Sequence, residues 1–139
     1  MILAAVQVTL TTLYDYRHFG AGVEQAGKRV LVIEDNSILA MALEETLIHL
    51  GHDIAGTAHT LEDGERLARD SDCNFAVVDI DLHGRDAFPI VDILLGRNVA
   101  FVLATGLPHD EIPAPYNQSY IVSKPYDMRE LKRALANAD

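Results

Sequence analysis

One cysteine, few basic residues and no long apolar run are the first facts of this 139-residue chain. With Cys73 alone, no intramolecular disulfide can form, which excludes a fold stapled by cross-links. Cys73 stands just before an apolar run, where a small buried hydrophobe is a better reading than a reactive thiol. Lys and Arg number 11 against 21 Asp and Glu, a formal net charge of −10. That balance disfavours non-specific binding to nucleic acid or to an anionic membrane, because both reward a basic surface. No stretch reads as a helix-turn-helix, zinc finger or basic arm, so DNA binding by this chain alone is not expected. The stretch from Met1 to Leu13 is apolar, but it is too short and too rich in threonine to span a bilayer. Its first positive charge, Arg17, follows the apolar residues, whereas a secretory signal carries that charge ahead of them. A cytosolic protein fits these absences. Internal repeats and low-complexity tracts are also missing.

What is present suits one ordered domain. A hydrophobic content of 49% with 23% charged residues argues against disorder at this length. Residues 1–27 stand apart as an N-terminal extension. Val6, Val8 and Leu10 alternate with polar residues as a short strand would, and Gly20, Gly22 and Gly27 then break the pattern. This extension is either poorly ordered or an arm that packs on the domain or on a second copy. From residue 28 to 139 the pattern becomes regular. Strands are expected at 29–34, 53–59, 74–79, 99–104 and 119–123. Helices are expected at 37–50, capped by Asn36 or Ser37 and stopped by Gly51, at 61–70, capped by Thr60, near 86–96, and at 127–137. A loop at 81–85 and an irregular region at 106–118 complete the order. Strands alternating with helices specify a parallel sheet with right-handed crossovers. The economical fold is a doubly wound, five-stranded parallel sheet with helices on both faces.

Four signals fall at the C-terminal ends of the apolar strands: Glu34-Asp35, Asp79, Thr105 and Lys124-Pro125. In a doubly wound parallel sheet these ends share the edge where ligands bind. Three carboxylates gathered there repel one another, and a hard divalent cation such as Mg²⁺ relieves the conflict. Asp79 is then a nucleophile, Lys124 a compact charge suited to a phosphoryl oxygen, and Thr105 a hydroxyl donor that Gly106 leaves accessible. Phosphoryl transfer needs positioning and charge neutralisation more than elaborate covalent chemistry, so this sparse set suffices. Taken singly, each part has a plainer reading as a turn residue, a helix cap or a strand end. Their ordered conjunction carries the inference.

The runs Val30-Leu31-Val32-Ile33-Glu34-Asp35-Asn36, Ala76-Val77-Val78-Asp79-Ile80-Asp81-Leu82, Leu103-Ala104-Thr105-Gly106 and Ser123-Lys124-Pro125 resemble the response-regulator receiver domain of two-component signalling, over about residues 28–139. The spacing between the four sites is similar to that family's. The resemblance implies a flavodoxin-like fold with strand order 2-1-3-4-5 in three α/β/α layers. It implies that Asp79 accepts a phosphoryl group from a histidine kinase or a histidine phosphotransfer protein in a Mg²⁺-dependent reaction. In that reading Asp35 and Asp79 ligate Mg²⁺, Glu34 acts through water, the backbone carbonyl of Asp81 completes the metal site, and Thr105 and Lys124 hold the phosphoryl oxygens. The chain would be a phosphoacceptor that catalyses its own phosphoryl transfer and dephosphorylation rather than an enzyme in the ordinary sense. The family also implies a cis Lys124-Pro125 bond. Leu103-Ala104-Thr105-Gly106-Leu107 looks most like stand-alone receivers with Phe-Ala-Thr-Gly at this place. With no output domain expected after the last helix, the resemblance points to a shuttle, a phosphate sink or a regulator working by protein contact.

Some positions depart from the family pattern. Ile121 stands where many receivers carry a switching aromatic, and Tyr120, one residue away, belongs to the opposite face of the strand. Pro108, Pro113 and Pro115 leave little room for a helix between the fourth and fifth strands, so a short or mobile one is expected there, whose ordering could be the response. That change also unsettles the homodimer that receivers often form through this region. Asp81 either tunes the phosphoryl lifetime or only adds surface charge. His49 and His52, which straddle a helix end, read as solvated, and no histidine has convincing metal-ligand spacing. Ile38, Met41 and Ala42 widen the apolar face of the first helix, where a phosphotransfer partner would dock by analogy. Two rival readings are a haloacid-dehalogenase-like phosphatase, because of Asp79-Ile80-Asp81, and a degenerate receiver used only as an interaction module. The first lacks an acidic pair such as 34–35, and intact Asp79, Thr105 and Lys124 count against the second.

Overall fold

The computed structural model describes residues 27–137. The alternating stretch at Val6, Val8 and Leu10 lies outside them. Five strands form one sheet: β1 Arg29–Ile33, β2 Asp53–Ala58, β3 Phe75–Asp79, β4 Ala100–Thr105 and β5 Ile121–Ser123. Among the described residues four α-helices connect or follow them: α1 Ser37–His49, α2 Leu61–Asp70, α3 Phe88–Gly96 and α4 Met128–Asn137. The sheet is parallel throughout, with spatial order β2-β1-β3-β4-β5. This is the flavodoxin-like arrangement in three α/β/α layers. Among the described residues no helix is long and apolar enough to cross a membrane.

Period-two alternation splits the core between the two faces of the sheet. Leu31, Ile33, Ala76, Val78, Leu103 and Ile121 face the side covered by α2 and α3. Val30, Val32, Phe75, Val77, Val102 and Val122 face α1 and α4. β3 is buried at all five positions, as a central strand covered on both sides must be. Between β1 and β2 the register slips by one residue after Val30, leaving Ala55 unpaired.

The helix starts follow their capping chemistry. Asn36 caps α1, its side chain accepting from the amides of Ile38 and Leu39 at 3.0 and 3.1 Å. The Thr60 hydroxyl caps α2 by accepting from the Asp63 amide at 3.2 Å. Gly51 ends the chain's first turn after α1 with φ +96°, a left-handed conformation that suits glycine at a helix C-terminus. α3 starts two residues later than the sequence suggested, because Arg85–Asp86 pair antiparallel with Asp81–Leu82 in a small ribbon. His83 and Gly84 form its two-residue turn with φ of 53° and 81°, both positive as a type I′ turn requires.

Gly64 in the middle of α2 lies against Ile90 of α3 and Ile33 of β1, and a Cβ there would collide with the Ile90 terminal methyl. Alanine normally stabilises a helix interior over glycine by about 1 kcal/mol. Here overpacking, worth about 1–3 kcal/mol, opposes it, since Ile90 is fully buried and cannot swing away freely. Gly64→Ala is therefore expected to lower stability by about 1 kcal/mol in urea unfolding, against the propensity trend.

The crossover from β4 to β5 contains no α-helix. Two single 3₁₀ turns, His109–Glu111 and Tyr116–Gln118, take its place among Pro108, Pro113 and Pro115. The segment is anchored to α3. The Tyr116 ring stacks on Phe88 with centroids 4.1 Å apart and planes within 4°, and its hydroxyl donates to Asp92 at 2.8 Å. Ile112 is buried in the same core. Tyr116→Ala removes a stacked pair worth about 0.5–1.5 kcal/mol beyond its buried area. Amide exchange over 106–118 is expected to quicken in that variant while α1 stays protected, as local opening requires.

One histidine reverses the sequence reading. His49 is exposed, but His52 is buried, because its Nδ1 accepts from the Lys28 backbone amide at 3.0 Å across the start of β1. Burial first, then the nearby Lys28 charge, lower its pKa and keep the ring neutral. The Lys124-Pro125 bond is cis, as expected, and so is Ala114-Pro115.

Candidate functional site

Parallel pairing sets the ends of β1, β3, β4 and β5 side by side, and the expected residues gather there. Glu34 continues β1 by one hydrogen bond, its amide donating to the Ala58 carbonyl at 3.0 Å, so its side chain is fixed over the strand end. Asp35 follows in the loop before α1. Asp79 closes β3 opposite Ala104, and Thr105 closes β4 one residue further on. The Lys124 amide donates to the Thr105 carbonyl at 2.7 Å, which carries the β4–β5 ladder to the lysine itself.

Glu34, Asp35 and Asp79 each offer a carboxylate oxygen within 4.8 Å of the others. Glu34 is fully buried, Asp79 and Thr105 nearly so, and Asp35 half-buried. The Lys124 ammonium sits between two of the acids, 2.7 Å from Glu34 Oε1 and 2.8 Å from Asp79 Oδ2. Backbone donors hold the remaining oxygens: the Asp81 amide donates to Asp79 Oδ1 at 3.1 Å, the His83 amide to Asp35 Oδ2 at 3.0 Å, and the Asn36 amide to Glu34 Oε2 at 3.1 Å. The Thr105 hydroxyl accepts from the Leu107 amide at 2.9 Å, which leaves its proton available to another acceptor.

The charges do not balance. One ammonium cannot neutralise two buried carboxylates with a third beside them. Burial is the larger influence on Asp79, and with the Glu34 charge it outweighs Lys124 and raises the carboxyl pKa to about 7. Asp35 goes the other way: burial would raise its pKa, but hydrogen bonding with Glu34 and from the His83 amide lowers it. Burial works against the Lys124 charge, yet its bonds to Asp79 and Glu34 raise its pKa overall. The two partners of the Asp79–Lys124 pair thus pull in opposite senses. The short contact favours the ionised pair, and the excess negative charge around it favours protonating Asp79 in the metal-free site. A hard divalent cation removes that excess, and an all-oxygen cluster of this kind fits one. The cluster resembles the Mg²⁺-binding site of receiver domains.

Asp81 is exposed, and its carboxylate turns away into the ribbon, where Oδ1 accepts from the Gly84 amide at 2.8 Å. Only its backbone faces the acid cluster. Two further residues touch the site without a sequence signal. The Tyr126 hydroxyl donates to Glu34 Oε1 at 2.9 Å, with its ring 5.6 Å from the Lys124 ammonium. Burial and the Glu34 charge raise the phenol's pKa well above its ordinary value, so it remains a donor. His59 Nδ1 lies 2.8 Å from the Glu34 carbonyl oxygen and donates to it. Tyr126 stands two residues after Lys124, but its partner Glu34 is 92 residues away in the chain. Ile121 is buried where a switching aromatic stands in many receivers, and Tyr120 points outward, 41% exposed.

This sheet order, with the acid cluster at its C-terminal edge, defines a receiver-domain fold related to the PhyR and response-regulator proteins. No family model matches the chain. Over 133 residues it is 27% identical to the phyllosphere-induced regulator PhyR of Methylorubrum extorquens, covering 84% of this chain and 48% of that protein. It therefore spans about half the length of that curated relative. Among solved structures it is similar to SdrG from Sphingomonas melonis Fr1, with 29% identity, a TM-score of 0.70, and coverage of 81% of this chain and 97% of that one. It is also similar to the BeF3-activated conformation of SdrG, with 29% identity, a TM-score of 0.68 and the same coverage.

Proposed function

We propose that this chain is a phosphoacceptor receiver, in which Asp79 takes a phosphoryl group from a phosphohistidine of a histidine kinase or phosphotransfer protein. The observation that carries the reading is one ammonium, Lys124, shared between Glu34 and Asp79 at 2.7 and 2.8 Å within a cluster of three carboxylates. An Asp79 oxygen attacks phosphorus, the donor's P–N bond breaks with its electron pair left on the imidazole nitrogen, and a mixed anhydride forms on Asp79. Asp35, Asp79 and the Asp81 backbone carbonyl would hold Mg²⁺, with Glu34 acting through water, and the ion would supply positive charge that keeps Asp79 ionised and offsets charge on the transferring group. Lys124 leaves Glu34 for a phosphoryl oxygen, and the Thr105 hydroxyl, whose proton is unused, donates to another. The likeness to SdrG in a BeF3-activated conformation supports this assignment, since beryllofluoride mimics a phosphoryl group.

Ile38 and Met41, 47% and 60% exposed on the first turns of α1, give a phosphodonor protein an apolar surface beside the acid cluster. The output passes by protein contact, as a shuttle, sink or regulator, in keeping with an acidic chain poorly suited to nucleic acid. Nothing favours the phosphatase reading, because the second Asp of Asp79-Ile80-Asp81 is committed to the Gly84 amide.

The test is to incubate the protein with Mg²⁺ and a small acyl-phosphate donor, then reduce the adduct with borohydride. An acid-stable, alkali-labile adduct that reduction converts to homoserine at position 79 is the expected result. Rapid turnover of phosphomonoesters, or no adduct at all, would overturn the proposal.

A further inference from the structure

Glu34 is fully buried, and a buried carboxyl group needs donors in place of the water it has lost. Three donors do so. Lys124 and the Tyr126 hydroxyl bind Oε1 at 2.7 and 2.9 Å, and the Asn36 amide binds Oε2 at 3.1 Å. In the phosphoacceptor reading, on which this inference rests, Lys124 is the donor that cannot be permanent, because it transfers to a phosphoryl oxygen on Asp79. The Asn36 amide remains, but it serves only the other oxygen. Tyr126 is then the sole side chain left on Oε1. Its ring packs in the core with Met128, Leu131 and Val122, a task phenylalanine would perform equally well, so the hydroxyl is the part that packing does not explain.

We propose that Tyr126 is a positioning residue for phosphoryl transfer, whose hydroxyl keeps Glu34 satisfied and oriented while Lys124 changes partners. Two consequences follow from the bond count. With Lys124 on Glu34, removing the phenol oxygen leaves two donors on the carboxylate. With Lys124 on the phosphoryl group, it leaves one protein donor, the Asn36 amide, beside the water that links Glu34 to Mg²⁺. The loss therefore falls mainly on the phosphoryl-bound state.

The test uses the full chain, Mg²⁺ and beryllofluoride. At saturating Mg²⁺, Tyr126→Phe is expected to bind beryllofluoride about tenfold more weakly than native protein, the loss typical of one hydrogen bond to a charged acceptor. Mg²⁺ affinity measured without beryllofluoride, when Lys124 still holds Glu34, is expected to change much less. If the phenol only packs, the two affinities remain at native values or shift together, and either result overturns the proposal. A second measurement needs no variant to fold. In native protein carrying ¹³Cζ-tyrosine, the Tyr126 resonance is expected to keep its carboxylate-bonded shift when beryllofluoride is added, and a move to a free-phenol shift overturns the proposal. Native protein that binds no beryllofluoride would overturn the receiver reading as well. Native binding matched by the Phe variant would overturn only the role of Tyr126.

Discussion

Asp79→Asn is expected to abolish the acyl-phosphate adduct and, at the same time, to make the metal-free protein more stable above neutral pH. The first effect follows from the proposed function, because an amide replaces the carboxylate assigned there as the nucleophile. The second follows from linkage. The carboxyl pKa rises from 3.8 to about 7 on folding, first through burial and then through Glu34. The folded state therefore holds a proton that the unfolded chain gives up between those values. Stability from this group is fully present below the unfolded pKa and is lost as pH rises through the folded one. A shift of this size corresponds to about 4 kcal/mol at its upper bound, and the ion pair with Lys124 makes the realised figure smaller. Thermal midpoints of native protein without Mg²⁺ should fall between about pH 5 and pH 8, and those of Asp79→Asn should fall less. Parallel pH profiles for the two proteins would show that Asp79 is not strained by its neighbours.

Lys124→Ala should have the opposite effect on stability. It leaves Glu34 and Asp79 buried with no opposing charge, and removing one partner of a buried pair costs about 3–5 kcal/mol. Part of that cost is relieved when Asp79 takes up a proton, so the loss should be greater at pH 8 than at pH 5. Added Mg²⁺ should raise the variant's midpoint more than it raises the native one, because the ion then supplies the only neutralising charge. Calorimetric unfolding with and without Mg²⁺ measures both terms. A variant as stable as the native protein without metal would mean that the carboxylates are not desolvated as their burial indicates.

Much of this architecture was legible because it is written locally. Val30 to Ile33 and Phe75 to Val78 are apolar at every position, which marks strands covered on both sides, and the following acids then fall on one edge by parallel pairing alone. Asn36, Thr60 and Gly51 announced helix ends by the chemistry of capping. The acid cluster and Lys124 were readable for the same reason: each sits at the end of a strong local signal. What escaped depends on partners distant in the chain. His52 looks solvated until Lys28, at the start of another element, presents its amide. Tyr126 is one more apolar ring until folding brings it against Glu34. The ribbon at 81–86 rests on the positive φ of His83, a conformation that histidine does not advertise. The prolines after β4 predict a short or mobile helix, and the structure instead has two 3₁₀ turns there, because Pro108, Pro113 and Pro115 interrupt any longer helical run. Its fixing to Phe88 and Asp92 by Tyr116 was not visible, because that contact joins separate elements.

Among the described residues β5 is an edge strand only three residues long, and Pro125, which has no amide proton, follows it two positions later. Such a margin cannot recruit an extended segment from another molecule over any useful length. Self-recognition by sheet continuation is closed on that side, and any encounter there must be made through side chains.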